Sequence, residues 1–122
     1  MTLENVGTVI AARELSLDDA QTIRVLIGTP KQRTDSNEWY CPYQTVGIGS
    51  GRVGISFGVD SVQALVLALS MVGAELYCSK EHEAGRLSWE CGAVKGDLGF
   101  PVPESIRDVL PGNQGTNESQ HG

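Results

Sequence analysis

The chain has 122 residues, of which 40% are hydrophobic and 20% are charged. These proportions are typical of one globular domain and argue against a disordered chain. The formal net charge is −6 and no run of Lys or Arg occurs, which excludes nucleic acid and anionic membranes as expected partners. The longest apolar stretch is too short for a membrane span, and the first residues lack a secretion signal. We therefore expect a cytoplasmic protein.

The first half of the sequence predicts two β-hairpins. Apolar and polar residues alternate on both sides of a short polar turn at Asp18–Gln21. A second pair of alternating segments surrounds the glycines of residues 47–51, which supply the positive φ angles that a tight turn requires. Glycines between two strands favour a hairpin over a phosphate loop, because phosphate loops precede a helix. In the last strand of this pair we expect Phe57 to face the core.

A helix over about residues 61–77 is strongly indicated. Asp60 is a good N-cap, and Gln63 follows three residues later in the capping-box arrangement. Leu67 and Met71 point away from the main apolar stripe of this helix and need a cover of their own. We expect Ala64 and Ala68 to lie with them. The stripe itself is predicted to pack on a sheet and consists of Val62, Leu65, Val66, Leu69, Val72 and Leu76, with Gly73 inside it.

The chain after the helix predicts one further strand and an irregular segment. Residues 86–91 alternate cleanly and place Cys91 on an inward face. The Gly- and Pro-rich segment that follows is expected to wrap over the body of the domain. One or two helical turns are predicted between Pro103 and Pro111, and residues 111–122 are predicted to form a disordered tail. The expected domain is therefore residues 1–110.

Together these elements predict an α+β fold. A mostly antiparallel meander sheet of about five strands carries one main apolar helix, about 61–77, on one face. The pattern leaves open which edge of the sheet the fifth strand joins. A single helix cannot cover five strands, so part of the sheet must face solvent or a partner.

Candidate catalytic and metal-binding residues are few. The conceivable metal ligands are Cys41, Cys78, His82 and Cys91, but their intervals are long and lack the tight Cys pairs of zinc sites. A Cys–His nucleophile pair is also disfavoured, because acidic residues flank His82 on both sides. Three cysteines at irregular spacing fit a reducing compartment better than a disulfide framework. We predict no catalytic residues, no metal and no cofactor.

The segment GVDSVQAL at residues 58–65 is followed by LALSMVGAEL, preceded by WYCPYQTVGIG and succeeded by LSWE and GDLGFP. With these segments the chain resembles a family of small uncharacterised bacterial proteins over roughly residues 8–103. The resemblance implies a stand-alone bacterial domain of unknown function. It implies no catalytic residues.

These features favour a non-catalytic protein-interaction module that self-associates or binds a partner protein. The candidate interface residues are Tyr40, Tyr43, Leu67 and Met71, because aromatics on an edge-like strand and an uncovered helix face are typical of docking surfaces. A specific version is an acidic immunity-type inhibitor of a basic toxin. The alternative is a small ligand-binding domain or enzyme with a pocket between the sheet and residues 96–103. In that segment, LGFPVP could also cover the outer helix face.

Overall fold

A computed structural model of the chain describes residues 1–104. The predicted tail and most of the predicted C-terminal helical turns lie outside these residues. No helix of this part has the length and apolar content that a membrane crossing requires. The strands are β1 (Val9–Leu17), β2 (Gln21–Gly28), β3 (Lys31–Gln32), β4 (Trp39–Val46), β5 (Val53–Gly58) and β6 (Leu87–Ser88), and the helices are α1 (Ser61–Tyr77) and α2 (Lys80–Glu83).

The strands form one open antiparallel sheet in which β1, β2, β4 and β5 are neighbours in chain order. The predicted α+β meander is therefore confirmed. Strands β2 and β3 both pair with one side of β4, and β5 pairs with its other side. At the opposite end of the sheet, β6 pairs with β1, which shows the edge that the strand after the helix joins.

Both hairpin turns use backbone conformations that their residues tolerate. Asp18 and Asp19 each have φ 57° in the turn between β1 and β2, and Asp is among the residues that most readily adopt this left-handed conformation. The turn between β4 and β5 has positive φ at Gly47, Gly49 and Gly51. These glycines therefore serve the predicted hairpin turn.

The core lies between one face of the sheet and α1. Hydrogen bonds at the start of the helix set its direction: Gln63 N–H donates to Asp60 Oδ1 (2.8 Å), and Gln63 Oε1 accepts from Val59 N–H (2.7 Å). Fully buried side chains from the sheet, the helix and the C-terminal segment then meet beneath it, the largest being Ile23, Val25, Cys41, Val72, Leu76 and Leu98.

The predicted faces of α1 were partly wrong. Ala64 and Ala68 are fully buried against the sheet, whereas Val62 and Val66 are 66% and 53% exposed. The reason is the close approach between α1 and β5, where a Cβ atom at Gly58 would lie 2.5 Å from the Ala64 nitrogen. Only short side chains fit at that distance. Apolar periodicity alone placed the longer valines in the interface, because it does not encode the distance between helix and sheet.

The chain after α1 also differs from the prediction in detail. Strand β6 has two residues, and Cys91 lies beyond it in an exposed turn. Residues 89–103, which we call the wrapping segment, form irregular chain and lie across the β1 end of the helix-facing side, as predicted for their Gly- and Pro-rich part. Arg13 holds it there: the guanidinium lies 3.9 Å from the Trp89 ring centroid and donates to the carbonyl oxygen of Gly99 at 2.9 Å. This segment therefore completes the core beside α1.

Candidate functional site

Small residues on the helix-facing side of β5 bring α1 directly onto the edge of the sheet. Gly54, Ser56 and Gly58 alternate there, and Ser56 Oγ donates to the Ala64 carbonyl oxygen at 2.6 Å. A Cβ atom at Gly54 would collide with the Tyr43 ring. The larger residues of β5 consequently lie on the other face of the sheet, and the prediction that Phe57 faces the core is wrong: its side chain is 38% exposed.

Strand β4 directs its odd-numbered residues toward β5. In antiparallel strands the N–H and C=O groups of alternate residues point to opposite neighbours. On the β3 side, Arg33 N–H donates to the Glu38 carbonyl oxygen at 2.8 Å, which assigns the even-numbered residues of this stretch to that side. Pro42 is consistent with this assignment. As an even-numbered residue it does not have to donate a hydrogen bond to β5, and proline has no N–H to donate. The odd-numbered residues of β4 therefore make the hydrogen bonds to β5.

The outer edge of β5 is open within residues 1–104. The β5 partners of the odd-numbered β4 residues are Gly54, Ser56 and Gly58. By alternation, Val53, Ile55 and Phe57 direct their N–H and C=O groups away from the sheet. No strand in residues 1–104 pairs with this edge. Its six residues contain no charged side chain and no proline, the two devices that most often protect an exposed edge from pairing.

Two large apolar side chains of α1 overhang this open edge. Leu69 lines a cavity with residues of β1, and a Cβ atom at Gly73 would collide with the Pro101 carbonyl group, so these two positions mark the β1 flank of the helix. Leu67 and Met71 lie about 120–160° around the helix from them and face the β5 flank. Their side chains are 41% and 45% exposed. We call Leu67, Met71 and the open edge of β5 the edge surface.

The two tyrosines of the sequence hypothesis have different surroundings. Tyr40 is half-buried on the sheet face away from α1, paired across the strands with Phe57. Tyr43 lies on the helix side and is 4% exposed, so it belongs to the core and is removed from the candidate interface. Burial raises the pKa of the Tyr43 hydroxyl, with a smaller contribution from the charge of Glu75. Strand β4 has neighbours on both sides, so the prediction that these aromatics lie on an edge-like strand is wrong. Its regular alternation through Pro42 places Tyr40 and Tyr43 on opposite faces.

A polar groove of about 300 Å³ lies between the β4–β5 turn and the C-terminal end of α1. Glu75 and Glu81 both line it, so the fold brings together two carboxylates that the sequence did not pair. Desolvation raises the pKa of Glu75. Thr45 Oγ1 at the groove is buried and has no hydrogen-bond partner within residues 1–104. Arg52 at the rim balances part of the negative charge.

The residues considered for metal binding or nucleophilic chemistry do not form a site. Cys41 is buried in the core, where burial raises the pKa of its thiol to about 11, whereas Cys78 and Cys91 are exposed. His82 packs edge-on against Tyr77 with ring centroids 5.1 Å apart, and its Nε2 lies 2.9 Å from the Gly96 carbonyl oxygen. In residues 1–104, no three His, Cys, Asp or Glu side chains are arranged to hold a metal ion.

Residues Gly54–Gly58 have the spacing Gly-x-Ser-x-Gly, which in hydrolases marks a serine nucleophile at a strand-to-helix turn. Here Ser56 lies inside a strand, is 5% exposed and donates its hydroxyl proton to a helix carbonyl group. Its role is therefore structural. The alternation of small residues is also the sequence signal that identifies β5 as the strand beneath the helix, a signal that apolar periodicity does not contain.

The chain matches the sequence model of a protein family. No curated protein and no solved structure is similar to the chain. The sequence model of a family described as a domain of unknown function, DUF6968, matches residues 11–102, which include nearly all of the sheet, both helices and nearly all of the wrapping segment. The chain therefore belongs to the DUF6968 family of domains of unknown function.

Proposed function

We propose that this domain is a non-catalytic protein-interaction module that binds its partner through the edge surface. The observation that supports the proposal is the unprotected apolar edge of β5 beneath the exposed side chains of Leu67 and Met71. Natural proteins protect such edges with charges, prolines, bulges or a covering element. An added strand would gain backbone hydrogen bonds from β5 and apolar contacts from the helix.

The charge of the chain limits which partners are favourable. With a formal net charge of −6, the domain repels acidic surfaces at long range and attracts basic ones. A basic partner protein would therefore associate faster at low salt, as in an immunity-type inhibitor. The apolar edge surface provides the contact after encounter, because exposed charge pairs contribute little affinity by themselves.

Site-specific photo-crosslinking in the organism that encodes the chain tests this proposal. A photoreactive amino acid at Met71 lies on the edge surface, and the same amino acid at Val62 lies on the opposite flank of the same helix. Both positions are exposed, at 45% and 66%. We expect ultraviolet-dependent protein adducts from position 71 that exceed those from position 62. Equal or absent adducts at the two positions would exclude the edge surface as a binding site.

The second candidate is ligand binding beneath the wrapping segment, where the sequence predicted a pocket. A cavity of about 200 Å³ lies there, between Arg13, Leu69 and Phe100. This volume is below the roughly 300 Å³ at which small-molecule sites usually begin. The Arg13 guanidinium is already engaged by Gly99 and Trp89. Nuclear magnetic resonance screening of small molecules tests this candidate, which requires saturable shifts at Leu69 and Phe100.

A further inference from the structure

Strand β5 has the geometry to pair with a second copy of itself. In a two-fold antiparallel pair that continues the sheet, paired residues must share a face, so each pair joins two odd or two even positions. Centring the pair on Ile55 places Val53 opposite Phe57 of the second copy. These are the residues whose N–H and C=O groups point outward from β5. The pair would then make about six backbone hydrogen bonds.

The helix position agrees with the same arrangement. Helix α1 contacts both β4 and β5, so its axis lies above the space between them. A two-fold axis at the edge of β5 puts the second helix two strand spacings away, about 10 Å. This is the normal distance between packed helices. Leu67 and Met71, on the β5 flank of α1, would lie between the two helices and lose their exposure to water.

The charges at the two ends of β5 are also complementary to a second copy. Arg52 precedes the strand and Asp60 follows it, and neither forms an ion pair with a residue of 1–104. Antiparallel pairing brings each Arg52 opposite Gly58 of the second copy, one diagonal position from Asp60. Both side chains are exposed, so the guanidinium can approach that carboxylate from the open edge. Self-pairing therefore joins opposite charges at both ends.

We propose that the occupant of the edge surface is a second copy of this chain, paired antiparallel through β5 with Ile55 on the two-fold axis. The inference rests on the proposed function, because it names the partner of the same surface. Two chains of net charge −6 repel each other at long range, so the dimer depends on the apolar and backbone contacts of the edge surface, and salt, which screens the repulsion, favours it. The resulting dimer has a continuous sheet with both α1 helices on one face. On its other face, Ile55 meets Ile55 of the second copy, and Val53 meets Phe57.

Disulfide trapping tests the pairing and its register. In a full-length background with Cys78→Ser and Cys91→Ser, Ile55→Cys places two thiols opposite each other, with Cα atoms about 5.5 Å apart and within disulfide reach. Val53→Cys, the matched control, places its thiols about 14 Å apart. We expect covalent dimer from position 55 and none from position 53. Mixing Val53→Cys with Phe57→Cys chains should restore cross-linking, because these positions face each other.

Sedimentation of chains with all native cysteines provides a second measurement that does not depend on the cysteine variants. Leu67→Glu with Met71→Glu should raise the dissociation constant of the dimer about tenfold or more, because the new charges meet across the two-fold axis. Val62→Glu with Val66→Glu, on the opposite flank of α1, should leave it unchanged.

Three results overturn the self-pairing inference: a monomer at every concentration, equal cross-linking at positions 53 and 55, or equal effects of the two glutamate pairs. Photo-adducts with other proteins at position 71, combined with a monomeric chain, would overturn the self-pairing while leaving the interaction module in place. Absence of both adducts and dimer would remove both.

Discussion

Replacing Tyr77 with phenylalanine removes a single oxygen atom that joins α1 to the wrapping segment. The Tyr77 hydroxyl accepts a hydrogen bond from the Leu98 N–H at 2.9 Å, and both residues are buried, at 4% and 0% exposure. The ring itself keeps its contacts in the variant. The change therefore removes the hydrogen bond between two segments that are 21 residues apart in the chain, together with weaker interactions of the hydroxyl with the backbone of Gly99 and Phe100.

The expected loss of stability follows from the Leu98 N–H, which stays buried in the variant. Phenylalanine leaves the Leu98 N–H buried without its acceptor, which costs about 1–3 kcal/mol. Burying a phenyl ring in place of a phenol offsets part of this, but the phenol hydroxyl is already hydrogen-bonded, so its own burial carries little penalty. We therefore expect the free energy of unfolding to fall by about 2 kcal/mol. With a urea slope of about 1.5 kcal/mol per molar, the midpoint falls by about 1–2 M.

Urea denaturation of Tyr77→Phe, compared with Tyr40→Phe, measures this loss. Tyr40 is half-buried on the outer sheet face, and no hydrogen bond of its hydroxyl is seen within residues 1–104. Its variant should stay within about 0.5 kcal/mol of the original chain. Amide exchange at Leu98 should accelerate in Tyr77→Phe alone. If the two variants have equal stability and Leu98 stays protected, the hydroxyl does not hold the wrapping segment.

Two further predictions concern titratable groups. Burial raises the pKa of the Cys41 thiol to about 11, whereas Cys78 and Cys91 are exposed. Two thiols should therefore react with Ellman's reagent in the folded protein at pH 8, and the third, Cys41, only in urea. Three fast-reacting thiols in the folded protein would contradict the burial of Cys41. Desolvation raises the pKa of Glu75 in the folded state, so the charged carboxylate costs stability as the pH rises through that pKa. The Glu75→Gln variant should accordingly have a higher free energy of unfolding than the original chain at pH 7 and lose this advantage near pH 4. Equal stability of the two chains at pH 7 and at pH 4 would show that Glu75 is not desolvated.

Local patterns determine much of this fold and could be recognised in the sequence. The turn at Asp18–Gln21, the glycines of 47–51 and the helix start at Asp60 each depend on residues that are close in the chain. Their chemistry is visible in one short segment. The α+β meander followed from these elements, because consecutive antiparallel strands joined by short turns become neighbours.

The faces of α1 and β5 could not be assigned in the same way, because they depend on the separation between two surfaces. Apolar periodicity ranks side chains by hydrophobicity, and on that scale Val62 and Val66 precede Ala64 and Ala68. Once helix and strand are in close contact, the size of a side chain decides whether it fits between them, and only the smaller alanines do. The glycine at position 58 permits that contact, and apolar periodicity gives a glycine no role.

The same small residues link the fold to the proposed interface. With Gly54, Ser56 and Gly58 beneath α1, the helix lies low over the last strand, and its β5 flank extends to the sheet edge. Larger residues at these positions would lift the helix and move its apolar flank away from the open backbone groups. A strand partner and a helix partner would then be separate contacts. In this chain they form one surface, so a single docking event can pair the edge of β5 and cover Leu67 and Met71 together.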